Sequence, residues 1–141
     1  MRLLLAVDDF GPGLGAAAAA QAISRGVRSA GLDEPDALLL DAPPVDLPDA
    51  DARMRAAFAL VIAEAVLDRG TLEHRLTGEL AVRARQAGVP CHAVAGAVRL
   101  DPFDGRIMDL QHVLEAGGDA TGLERAGMDL GGLLLAEARP G

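Results

Sequence analysis

Leu3-Leu4-Leu5-Ala6-Val7 is an unbroken apolar run that stops abruptly at Asp8-Asp9 and a glycine-rich turn. A strand with no polar position has no face to offer water, so it needs cover on both sides, as in a parallel sheet packed between helices. The alanine-rich stretch from Leu14 to Ser29 supplies the first cover, a helix with Arg25 and Arg28 at its negative pole and Gly31 as its stop. Ala37 to Leu40 predicts a second short strand closed by Asp41. Ala42 to Asp49, with Pro43, Pro44 and Pro48, reads as a loop that admits no helix.

The alternation continues. Phe58-Ala59-Leu60-Val61-Ile62 favours a strand leading into Glu64, Leu76 to Ala87 has helical composition, and Gly88-Val89-Pro90 ends that helix before a strand from Cys91 to Ala95. A mixed stretch from Arg99 to Arg106 precedes a last strand, Ile107 to Leu114, and a closing helix, Thr121 to Glu137. Gly122, Gly127, Gly131 and Gly132 weaken that helix. Strands alternating with helices predict one α/β domain over residues 1–141, a Rossmann-like three-layer arrangement with a mostly parallel sheet. Ligands of such folds bind at the carboxyl ends of the strands.

Composition narrows the chemistry. The basic residues are 13 arginines with no lysine, so Walker A, Schiff-base and lysine-base chemistry are excluded. A net charge of -8, three Phe and no Tyr or Trp disfavour nucleic acid as a partner. No apolar run reaches the length of a membrane span, and the lone Cys91 has no disulfide partner, so the expectation is a cytoplasmic protein that does not engage membranes.

Three segments carry candidate chemistry. Gly11, Gly13 and Gly15, with Ala16, satisfy G-x-G-x-x-A between strand and helix, which is either a structural turn or an anion site, and which also admits a dinucleotide-binding oxidoreductase fragment. Asp8 and Asp9 end the first strand, as a cap or as cation ligands that Asp41 can join. Glu64-Ala65-Val66-Leu67-Asp68-Arg69-Gly70-Thr71 brings two acids, a glycine and a hydroxyl to the ligand edge, to bind, to move a proton, or to cap the next helix through Thr71. His74, His92 and His112 lack metal-ligand spacing and read as structural.

Ala6-Val7-Asp8-Asp9-Phe10-Gly11-Pro12-Gly13-Leu14-Gly15-Ala16 resembles the opening A-P-D-S-F-K-G-S-L-S-A of the two-domain glycerate 2-kinases, and Ala63 to Leu72 resembles their G-E-G-x-L-D-x-Q-T-L, followed here by Gly88-Val89-Pro90 and Ala95-Gly96. The matching positions are Ala6, Asp8, Phe10, Leu14, Ala16, Glu64, Leu67, Asp68, Thr71 and Leu72. The family's lysines fall on Gly11 and Arg75, and its second domain has no counterpart. The resemblance implies a shortened glycerate-kinase-like domain that binds a small anionic ligand, a nucleotide phosphate or hydroxy acid, with weak or no kinase activity. It further implies ATP and Mg²⁺ as cofactors if active. In that scheme Asp8 and Asp68 are catalytic and hold the metal, Gly11, Gly13 and Gly15 cradle phosphate, Glu64 and Thr71 bind ligand, and Arg75 replaces the lost lysine. The alternative is a non-catalytic homodimerising module, suggested by a mean hydropathy of +0.23 and the apolar helix after the first strand.

Overall fold

The computed structural model describes residues 1–42 and 44–138. Pro43, part of the expected proline loop, lies outside the described residues. Five parallel strands, β1 (Leu3–Val7), β2 (Asp36–Leu39), β3 (Ala59–Leu67), β4 (Cys91–Val98) and β5 (Leu110–Glu115), form one sheet in the order β2-β1-β3-β4-β5. The β1 run is buried at every position, as its lack of a polar face requires.

Alternation along the strands divides the interior into two cores. Leu3, Leu5, Val7, Val61, Ala63 and Val94 face α1 (Ala16–Ala30) and α6 (Ala120–Ala138). Leu4, Ala6, Leu60, Ile62, Cys91 and Ala93 face the other way, toward α2 (Leu47–Arg55) and α4 (Leu76–Ala87). Fully burying one of these leucines contributes about 1.5–3 kcal/mol, so the aliphatic core suffices without large aromatics. The expected single three-layer α/β domain is the observed fold.

The glycines of the last helix turn out to be its packing surface. A Cβ on Gly26 of α1 would stand 1.9 Å from the Glu124 carbonyl oxygen, and one on Gly127 of α6 would stand 2.3 Å from that of Ile23. The two helices therefore cross in backbone contact, and the helix propensity lost at these positions is offset by close packing. This crossing also removes the warrant for a homodimerising module. The residues of α1 that looked in need of cover, Ala16, Ala19, Ala20, Ile23 and Val27 among them, are buried in the first core.

Further differences lie at the connections. The proline stretch ends in α2, whose N-cap Asp46 accepts the Asp49 N–H at 3.0 Å and whose first turn holds Pro48, where a missing N–H does no harm. Two six-residue helices, α3 (Arg69–His74) and α5 (Pro102–Ile107), start at the N-caps Asp68 and Asp101. Strand β3 runs past Glu64 to Leu67. No helix among the described residues is long and apolar enough to cross a membrane.

Candidate functional site

From β1 the chain crosses to β2 on one side, while β3 lies on the other, so the connections leaving β1 and β3 diverge and open a crevice at their carboxyl ends. Asp8, Asp9, Glu64, Ala65, Val66 and Arg75 line a pocket there of about 190 Å³.

The floor is built by main-chain pairing. The Asp8 N–H extends the ladder to the Ala63 carbonyl at 2.9 Å, which fixes the end of β1 beside Glu64. Oδ1 of Asp8 accepts the Asp9 N–H at 2.7 Å, and Oδ1 of Asp9 accepts the Gly11 N–H at 3.1 Å. Each carboxylate is thereby oriented by its own loop, and among the described residues neither forms a salt bridge.

Behind them Glu64 is sunk to 3% exposure. Thr71 Oγ1 donates to its Oε2 at 2.9 Å, Thr77 Oγ1 lies 3.1 Å from both of its oxygens, and Arg75 Nη1 is 3.4 Å from its Oε1. Burial pushes the Glu64 carboxyl above the ordinary range, while the hydrogen bonds from Thr71 and Thr77 and the nearby Arg75 charge pull it back. Backbone contact holds these donors in place: a Cβ on Gly78 would meet the Thr71 carbonyl oxygen at 1.8 Å, so α4 sits directly against α3. Thr77, in the first turn of α4, was not identified from sequence, because its link to Glu64 exists only once α4 folds back over the end of β3.

Asp68 is a helix cap. Its Oδ1 accepts the Gly70 N–H at 2.9 Å, the Thr71 hydroxyl accepts the Asp68 N–H at 3.1 Å to complete a capping box, and Arg75 Nη1 lies 3.0 Å from the same Oδ1. Thr71 is thus the inner partner of the box rather than the cap itself. Asp68 does not line the pocket with Asp8. Among the described residues no three His, Cys, Asp or Glu side chains are grouped to hold a metal ion.

The glycine turn stands apart from the pocket. Gly11 and Gly13 adopt φ of +112° and +79°, a left-handed geometry suited to glycine. The α1 N-terminus that should receive an anion already has one, since Oδ2 of Asp41 accepts the Ala16 N–H at 3.2 Å. A carboxylate of the chain therefore takes one of the N–H groups that the G-x-G-x-x-A reading assigned to a ligand phosphate. Of the expected site residues, Asp8, Glu64 and Arg75 meet at the crevice, Thr71 and Asp68 brace it from behind, and Gly11, Gly13 and Gly15 do not line it.

No protein-family model matches the chain, and no curated protein matches it. Among solved structures it is similar to the flavodoxin-like domain of a Synechococcus sp. protein, at 17% identity and a TM-score of 0.54, the match covering 98% of this chain and 100% of that domain. It is also similar to the metal-soaked flavodiiron core from Synechocystis sp. PCC6803, at 12% identity and a TM-score of 0.56, over 98% of this chain and 36% of that one. These neighbours overturn the glycerate-kinase reading, and with it the kinase and transferase activity and the Mg²⁺ and ATP expected as cofactors. The physical reasons agree with the correction: Asp68 is committed to a cap and to Arg75, and Asp41 takes the Ala16 N–H at the start of α1. The likeness carries the fold, and the chain has the flavodoxin-like strand order.

Proposed function

We propose that this chain binds a small, hydrogen-bond-donating polar molecule in the crevice over β1 and β3, with Asp8 and Asp9 as acceptors and Arg75 as the cation. The observation that supports this reading is the pocket itself: two main-chain-oriented carboxylates, without ion partners among the described residues, share about 190 Å³ with a guanidinium at the switch point of the sheet. At ~30 Å³ per water that space holds about six waters, room for the polar groups of a small metabolite.

Flavin, the group implied by the flavodoxin-like fold, does not fit these residues. Three N–H groups of the β1–α1 turn that could meet its phosphate are engaged within the chain, Gly11 with Asp9, Leu14 with the Gly11 carbonyl and Ala16 with Asp41. The turn bears Asp8 and Asp9, which repel a phosphate dianion. With no Tyr or Trp, and with Phe10 packed against the first core, Phe58 ahead of β3 and Phe103 on α5, no aromatic pair is placed to stack on the ring. Iron, named with the Synechocystis neighbour, would need a donor set absent among the described residues. The crevice is accordingly read as a site for a small polar ligand rather than for flavin.

The test is a thermal-shift comparison of the wild type with Asp8→Asn/Asp9→Asn across small polyols, amines, amino acids and carboxylic acids. A ligand near 100 times its Kd raises stability by about 2.7 kcal/mol, a shift of several degrees for a domain of this size. The expected result is a shift with donor-rich compounds in the wild type and its loss in the variant. Equal shifts in both proteins would refute the site.

A further inference from the structure

We infer that the crevice ligand is a small α-amino acid in its zwitterionic form, its ammonium on Asp8 and Asp9 and its carboxylate on Arg75. This rests on the reading above and names its ligand class. A guanidinium carries five N–H donors in a planar fork. The contacts Arg75 makes among the described residues, to Glu64 Oε1 at 3.4 Å, the Val66 carbonyl at 2.9 Å, Thr71 Oγ1 at 3.1 Å and Asp68 Oδ1 at 3.0 Å, all run to Nη1. One arm of the fork is clamped, and the Nε and Nη2 hydrogens remain as a pair of donors on a side chain that is 34% exposed. Parallel N–H donors of that kind match the two oxygens of a carboxylate.

The second arm lies beside Gly70. A Cβ on Gly70 would lie 3.1 Å from Arg75 Nη2, so any side chain there crowds that arm. Among the described residues that line the pocket, the charges besides Arg75 are carboxylates, Asp8 and Asp9, with Glu64 buried behind. A simple anion would be attracted at one end and repelled at the other, and a simple amine would leave the Arg75 fork facing solvent. A molecule with an ammonium and a carboxylate on one carbon satisfies both walls.

Calorimetry with the full chain distinguishes the classes, using L-serine, L-alanine, ethanolamine, propionate and glycerol as probes. The expected result is binding of the two amino acids at least 10-fold tighter than of ethanolamine or propionate. Arg75→Gln should weaken L-serine by about 10- to 100-fold, the loss of a charge-assisted pair, without weakening ethanolamine, whose ammonium gains from the removal of a nearby positive charge. Native dispersion in the amide spectrum of the variant separates this from misfolding. Ethanolamine or glycerol binding as tightly as L-serine, with that binding lost in Asp8→Asn, would overturn the amino-acid assignment and keep the crevice. No binding by any of the five would overturn the assignment and count against the crevice as well.

Discussion

Lowering the pH should destabilise this protein through one buried imidazole. His92 on β4 is 1% exposed, its ring stacks on that of His112 with centroids 5.1 Å apart, and its Nδ1 accepts the His112 main-chain N–H at 3.2 Å. That bond needs Nδ1 unprotonated, so the folded state holds the neutral ring. Burial, reinforced by His112 and opposed by Glu137, pushes the His92 value down from 6.5 to about 4. Because the folded value lies below the unfolded one, the unfolded chain binds more protons between them, and stability falls as pH drops from about 6.5 to about 4. The shift spans roughly 2.5 units at 1.36 kcal/mol each, about 3 kcal/mol in all. With a urea slope near 2 kcal/mol per molar, the midpoint should drop by about 1.5 M over that range. His92→Gln keeps a side-chain acceptor without titrating, and the other histidines are common to both proteins. The stability gap between wild type and variant should therefore close by about 3 kcal/mol on going from pH 7.5 to pH 4. A gap that stays constant over this range would refute the reasoning.

Glu64 should behave with the opposite sign: its folded value is raised, so its contribution is fully present below about 4.5 and is lost as pH rises. Glu64→Gln should thus gain on the wild type between pH 4 and pH 7 in the same urea titrations. Thr77→Val removes a hydroxyl that Glu64 uses, with both residues buried, and should destabilise by about 1–3 kcal/mol, read from the denaturation midpoint. Gly26→Ala would force a methyl group to 1.9 Å from a carbonyl oxygen and should lower stability by about 1–3 kcal/mol or more, with separation of α1 from α6 seen as faster amide exchange in both helices. FMN titrated into the protein should leave the flavin absorption spectrum unchanged.

The sheet was legible because its strands announce themselves. The β1 run and the β4 segment after Gly88-Val89-Pro90 are apolar stretches with sharp ends, and burial on both faces leaves no other use for them. What escaped was either too short or too distant. Helices α3 and α5 have six residues each, less than two turns, so no periodicity marks them and only the caps Asp68 and Asp101 betray them. Pro48 misled because proline breaks helices in their interior but suits their first turn. At the site, Asp8 and Glu64 could be picked out as polar residues near strand ends, whereas Arg75 was named only through the kinase resemblance, at the position of its lysine. Thr77 could not, since its bond to Glu64 joins residues thirteen apart across a strand and a helix. Asp41 was a candidate cation ligand in sequence, and its position against the Ala16 N–H follows from the parallel pairing of β1 with β2. The same residue types that resemble a kinase motif, Asp68 and Thr71, serve here as a capping box, a role with the same spacing and no ligand.

The central claim is that ligands bind between the ends of β1 and β3. Its most direct test is a ¹⁵N amide spectrum of the labelled protein titrated with L-serine and with ethanolamine. The account predicts saturable shifts concentrated at Asp8, Asp9, Ala65, Val66 and Arg75, with the β5 and α6 amides unmoved. Saturable shifts centred elsewhere on the sheet, or none at the crevice at any ligand concentration, would contradict it.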